Sequence, residues 1–288
     1  MPGEAGGVRE LLARAWREKL LVLGLGLLLA LALLSLAAPL IVDTSLAAIG
    51  SSRPRRPPGG AHLLGTDTQG RDVLASLLLA VPQTLKIGML AGLIGLGLGG
   101  LLGLLAGWFR GLTDAVIRTA ADVMMTIPTI AILVLVATSV RSMTVELMAV
   151  IVAGLSWMIP TRAVRAQVLS LRERSWVDVA RLNGLSGVRL VMSEILPNLA
   201  PYLAASFVIA VAGAMLATVG LEALGLGPQN ELTLGMMIYW AQYSGAILRG
   251  MWWWWVPPVV ALALIFVALL AASTGMDRLV NARLRVEG

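Results

Sequence analysis

Apolar residues in this chain run in long uninterrupted blocks set apart by shorter polar stretches, and nowhere do they alternate with period two. A helix rises ~1.5 Å per residue and a bilayer's hydrocarbon core is ~30 Å thick, so about 20 apolar residues make one span. Six windows fit that length: 20–42, 84–107, 119–140, 145–161, 199–221 and 252–272. The fourth is the shortest and carries Glu146 at its edge. Barrel strands would instead be about 10 residues long with alternating polarity. The pattern predicts an all-α membrane protein with six transmembrane helices. The first window is apolar from Leu20 to Ala38. That exceeds the ~7–15 residues of a signal-peptide core, so it reads as a retained span.

One polar interruption differs from the rest. Residues 161–198 carry Arg162, Arg165, Arg172, Arg174, Arg181 and Arg189 against Glu173, Asp178 and Glu194. Thr161 to Arg172 continues the fourth span as a helix. From Trp176, the apolar Trp176, Val177, Ala180 and Leu182 surround Asp178 and Arg181, which predicts a short amphipathic helix. Gly184 ends it, since glycine turns left-handed without steric cost. A second helix runs from Val188 to Leu196, before Pro197 and Asn198. A basic helical hairpin of this size reads as a docking element for a cytoplasmic partner.

Lys and Arg beside the spans set the orientation. With both termini inside, segments 1–19, 108–118, 162–198 and 273–288 hold 15 of the 22 basic residues. The predicted organisation is a cytoplasmic segment 1–19, a first helix 20–42 and an extracytoplasmic loop 43–83. A five-helix core 84–272 follows, containing the cytoplasmic loop 162–198, and then a tail 273–288. The 43–83 loop opens with Arg53, Arg55 and Arg56 among prolines and glycines, a composition that does not pack a core. Thr66, Asp67, Gly70 and Asp72 supply turns and an N-cap ahead of a helix from Val73.

Composition narrows the class. The chain is 58% hydrophobic and 13% charged, with mean hydropathy +0.86, where soluble domains have roughly 25% charged residues. The pI near 10.7 reflects cations clustered beside spans, which fits orientation signals and not a nucleic-acid face. No cysteine is present, which excludes disulfides and thiolate chemistry. The two lysines, Lys19 and Lys86, follow Glu18 and Leu85, so neither belongs to a G-K-[ST] phosphate loop. The single histidine, His62, reads as a solvated loop residue. No metal centre, cofactor site or catalytic constellation is expected in this chain.

Within the spans, Gly95, Gly99, Gly103 and Gly107 form three successive G-x-x-x-G steps on one helical stripe. Such a stripe lets two backbones approach closely, as in a tight bundle or a face that slides during transport. Asp122 near the start of the third span is expected to pair with Arg118, with Pro128 kinking that helix further on. Glu222 is expected to be wetted at the outer end of the fifth span. Trp252 to Trp255 read as an interface anchor. Together with Met236 and Gln242, Trp252 and Trp253 are candidates for a path or mouth.

The segment Trp176 to Asn198 resembles the EAA-type cytoplasmic loop of bacterial ABC importer permeases. The triplet here is Asp178-Val179-Ala180, with Gly184 four residues on and Leu196-Pro197-Asn198 at the close. Leu64-Gly65-Thr66-Asp67, Gly70-Arg71-Asp72 and Leu224-Gly225-Leu226-Gly227 make the chain similar to the dipeptide/oligopeptide/nickel class. The sequence departs from the pattern at Asp178, Val179 and Glu194. The resemblance implies an inner-membrane subunit that pairs with a second homologous permease, two ATPase subunits and an extracytoplasmic binding protein, surrounded by lipid. It implies ATP hydrolysis in the partner subunits, and a coupling role for Trp176, Val177, Asp178, Ala180, Arg181, Leu182, Gly184 and Leu185. Peptides are the first expected substrate, with oligosaccharides or a nickel chelate as alternatives. A self-contained channel or secondary carrier is the competing class.

Overall fold

The computed structural model describes Trp16 and residues 18–280. Most of the predicted segment 1–19 and the end of the tail 273–288 lie outside the described residues. Within them the chain is helical, with isolated bridges Gly59–His62 and Thr66–Asp72 but no strand. The helices longer than one turn are α1 (Lys19–Leu36), α2 (Val73–Phe109), α3 (Gly111–Thr126), α4 (Thr129–Ser139), α5 (Val145–Ser156), α6 (Met158–Arg172), α7 (Ser175–Leu182), α8 (Gly187–Ala223), α9 (Leu234–Tyr243) and α10 (Trp252–Val280). A π turn at Val191–Ile195 lies within α8.

Four helices, α1, α2, α8 and α10, are long and apolar enough to cross a bilayer. Two bent pairs, α3 with α4 and α5 with α6, meet the same test together, which allows up to six spans. The third window, 119–140, is thus no straight rod: its two halves meet at 81°. Pro128 lacks an N–H and pushes Ile127 to an extended conformation (φ −88°, ψ 129°), which ends α3 there. The fourth window bends by 46° between α5 and α6. Pro160 cannot donate to Ser156, and the ladder restarts with Thr161 N–H donating to the Trp157 carbonyl at 3.0 Å.

The long helix α2 is the centre of the bundle. It begins at Val73, with Asp72 Oδ1 accepting from Ala75 N–H at 2.9 Å. The helix from Val73 expected on the Asp72 cap is thus present, and it runs unbroken through residues 73–83 into the apolar window. Its 37 residues span roughly 55 Å at ~1.5 Å each, more than a bilayer needs, so the helix outruns its apolar window. The glycine stripe faces α5 and α6. A Cβ on Gly95 would lie 2.7 Å from Ser156 Cβ, one on Gly99 2.9 Å from Pro160 Cβ, one on Gly103 2.6 Å from the Thr161 carbonyl oxygen, and one on Gly107 2.8 Å from Val168 Cβ. Each distance is too short for a real side chain, so the absence of Cβ is what lets these backbones meet. Earlier on the same stripe, α8 presses Met215 and Val211 against Gly88, and Val211 against Gly92.

Chain direction sorts the polar segments to two ends. The segment between α6 and α8 gathers at the end of α2 bearing Trp108, while residues 43–72, 140–144 and 224–251 gather at the end bearing Val73. We call these the hairpin end and the mouth end. Gly103→Leu is predicted to destabilise the chain by about 1–3 kcal/mol through overpacking. Gly97→Leu, whose Cβ meets nothing within 4 Å, should stay within about 0.5 kcal/mol of wild type. Thermal unfolding in detergent compares the two.

Candidate functional site

The hairpin is built on its own small core. Val164 and Val168 of α6, Val177 and Ala180 of α7, and Leu190, Ile195 and Leu199 of α8 pack together, with Trp176 and Leu185 partly buried against them. The turn between α7 and α8 rests on Gly184, whose φ is +78°, a left-handed value at which a side chain is strained. Gly184 N–H donates to the Arg181 carbonyl at 2.9 Å, and Leu185 N–H to that of Ala180 at 3.3 Å. This is the C-terminal closure of a helix that Gly184 predicts.

The predicted coupling residues divide by helical phase. Val177 is 0% and Ala180 8% exposed, so both face inward and hold α7 to its own chain. Asp178, Val179, Arg181, Leu182 and Gly184 face outward, with Leu182 86% exposed. Val179, not singled out above for contact, joins Leu182 as the apolar part of the free surface. Asp178 and Arg181 pair with each other across one turn at 3.1 Å.

One residue that sequence reasoning missed ties this hairpin to the bundle. Trp108, near the end of α2, has the guanidinium of Arg172 5.5 Å from its ring centroid and that of Arg181 5.8 Å away. Arg172 also donates to the Trp108 carbonyl oxygen. A cation over an indole face contributes about 0.5–1 kcal/mol at an exposed site. Around this clamp, Arg110 Nη2 lies 2.6 Å from Glu173 Oε1, and Arg165 grips both oxygens of Asp114, Nη2 to Oδ2 at 2.6 Å. Asp122 pairs with Arg162 at 3.6 Å. The expected Arg118 partner gives way because α3 lies alongside α6, so the cation comes from the neighbouring helix.

The mouth end corrects two expectations, for His62 and for Glu222. His62 is 7% exposed, not solvated, and its Nδ1 lies 2.8 Å from Asp72 Oδ2, leaving the other oxygen of Asp72 to cap α2. The 43–72 segment is knit by such bonds: Thr66 Oγ1 donates to the Arg53 carbonyl at 2.8 Å and accepts from Arg56 N–H at 2.8 Å. Asp67 Oδ1 accepts from the N–H groups of Gln69 and Arg71 at 2.7 and 2.8 Å. Burial nevertheless pushes the Asp67 carboxyl above its ordinary pKa, because desolvation outweighs those bonds. Glu222, expected to be wetted, is 0% exposed and accepts from Thr233 Oγ1 at 2.7 Å. Residues 224–235 fold back over the end of α8, and Gly227 and Gly235 leave the room its side chain occupies. A polar group so buried needs partners; Thr233 supplies one to Oε1, while the buried Oε2 has none among the described residues.

The four mouth candidates also separate. Met236 is 2% exposed and belongs to the interior. Gln242 lies exposed near the end of α9. Trp252 is exposed, Trp253 Nε1–H donates to the Thr66 carbonyl at 3.2 Å, and Trp254 is buried. The tryptophan run therefore does not form a uniform anchor, because successive residues on a helix point about 100° apart. Among the described residues, no group of His, Cys, Asp and Glu could hold a metal ion.

The fold is thus a bundle of apolar helices that carries a polar helical hairpin at one end. Residues 99–286 match the family described as binding-protein-dependent transport system inner membrane component. The chain is 31% identical over 233 residues, 80% of each chain, to the oligopeptide transport system permease protein OppC of Mycobacterium tuberculosis. It is 31% identical over 278 residues to a putative peptide transport system permease protein of Brucella suis, covering 96% of this chain and 92% of that one. An OppC of Lactococcus lactis is 30% identical over 178 residues, 62% of this chain and 60% of its own. The chain belongs to the family of inner membrane components of binding-protein-dependent transport systems, and is a multi-pass inner membrane protein.

Trp108→Ala is expected to loosen the hairpin, so that trypsin cleaves within residues 172–189 several-fold faster in detergent. Trp108→Phe, which keeps a ring for the two guanidinium groups, should fall between. Equal cleavage in all three proteins would show that the indole does not hold this segment.

Proposed function

We propose that this chain is the permease subunit of an ATP-driven peptide importer and forms half of the translocation path. Six spans, with the hairpin end and both termini in the cytoplasm, complete the reading. The excess of Lys and Arg in the segments at that end supports the orientation. Peptide as substrate is supported by the names of the relatives from Mycobacterium, Brucella and Lactococcus.

The observation that carries the coupling role is the free face of α7. Val179 and Leu182 are exposed apolar residues flanked by the exposed Asp178–Arg181 pair, on a helix already fastened to α2 through Trp108. That face is available to a cytoplasmic ATPase subunit, and movement imposed on it passes into α2 through Trp108 and into α8 through the hairpin core. A second permease of the same family would complete the path, and a binding protein would deliver peptide at the mouth end. Hydrolysis would occur in the ATPase subunits. This chain contributes no phosphate loop of its own.

Purification from native membranes in mild detergent tests the assembly. Wild type should bring down a second multi-pass protein and an ATPase. Leu182→Asp, at an 86% exposed position, should retain the first and lose the second while the chain stays folded. Wild type that purifies alone and still moves solute in vesicles would make it a self-contained carrier.

A further inference from the structure

Helices α1 and α10 touch backbone to backbone near the hairpin end and separate toward the mouth. A Cβ on Gly24 would fall 2.5 Å from the Ala272 nitrogen, and one on Gly275 would fall 2.6 Å from Leu21 Cβ. Nearer the mouth no glycine holds the pair together, and Pro257 and Pro258 lie inside the continuous helix α10, where each withholds a backbone N–H donor. There the two helices and the first turns of α2 enclose a groove of about 280 Å³. Leu31 and Leu34 of α1, Leu78 and Val81 of α2, and Pro257 and Ala261 of α10 contribute to its walls, and Ser35 is its single polar lining residue.

Two observations say what fills it. First, its walls belong to three helices each long and apolar enough to cross a bilayer, so the surrounding medium is hydrocarbon. An apolar space of this size does not hold water, and left empty it would forfeit the dispersion contacts a chain of methylenes can make. Second, Arg53, Arg55 and Arg56 are exposed on a segment at the same end of α10. Their segment is fixed through Thr66 to Trp253, one helical turn before Pro257. An apolar slot with a cationic segment fixed at the same end of the bundle is complementary to a lipid tail below a phosphate.

We propose that this groove binds one acyl chain of an anionic phospholipid, with its phosphate facing Arg53, Arg55 and Arg56. The lipid wedges α1 away from α2 at the mouth end while the glycine contacts hold it to α10 at the other. The extracytoplasmic leaflet as its source rests on the orientation proposed above. Occupancy of the groove does not.

The test is photolabelling of the assembled complex in phosphatidylethanolamine vesicles with a minor fraction of phosphatidylglycerol carrying a diazirine in mid-chain. Peptides covering residues 31–35, 77–81 and 257–264 should be labelled several-fold more than the lipid-exposed stretch 22–29 of α1. Ala261→Phe, which fills the groove from its wall, and Val260→Phe, which fills it from the exposed edge, should each abolish that excess. Co-purification of the partner subunits reports assembly separately, so loss of the complex is distinguished from loss of the lipid. Labelling no greater than at 22–29, or excess that survives both variants, overturns the proposal. So does equal labelling by the phosphatidylcholine analogue, or a zero-length cross-link from the groove to a partner subunit.

Discussion

Four glycines on one stripe of α2 leave no Cβ between its backbone and those of α5 and α6, and the positions of most other elements follow from that approach. Side chains at Gly99 and Gly103 would collide with Pro160 and with the Thr161 carbonyl, so α2 would have to stand away from the bent pair. In hydrocarbon no hydrophobic effect drives helices together, and close backbone packing takes its place. Because α6 is seated on α2 down to Val168 against Gly107, the chain leaves the bundle beside Trp108. The hairpin then has one place to hang, and Trp108 closes on it with two arginines from two different helices.

The result is a clamped connection at one end of the molecule and a knitted cap at the other. The cap runs through Thr66, Trp253, Asp72 and His62, and through Thr84 Oγ1, which accepts from Leu234 N–H at 2.9 Å. Glu222 lies inside it with Thr233 as partner. Both ends contact α2 directly. A long helix with a polar assembly fixed at each end is what the proposed coupling role requires.

Much of this was legible in the chain. The glycine stripe announces its own packing, since a four-residue repeat lies on one helical face. The hairpin was visible from its arginines and from Gly184, and Pro128 marked the kink, though an 81° bend depends on how α3 lies against α6. The burial of Val177 and Ala180 was also readable in principle, because residues three apart on a helix share a face and both are apolar. Other features were not readable. Burial of Glu222 depends on residues 224–235 folding back, burial of His62 on Asp72 ten residues later, and the role of Trp108 on cations more than sixty residues away. Each is a contact between distant positions that local pattern does not encode.

The central claim is that the hairpin and the Trp108 end of α2 move as one body during the proposed transport cycle. The chain contains no cysteine, so spin labels can be placed at chosen exposed positions, Leu182, Leu101 and Leu248, in the assembled complex. Distances between labels would be measured by double electron–electron resonance with and without ATP. The account predicts a 182–101 distance that is the same in both states, while the 182–248 distance, hairpin to mouth, shifts. A 182–101 distance that changes with nucleotide would mean that the hairpin moves independently of α2, which contradicts the account.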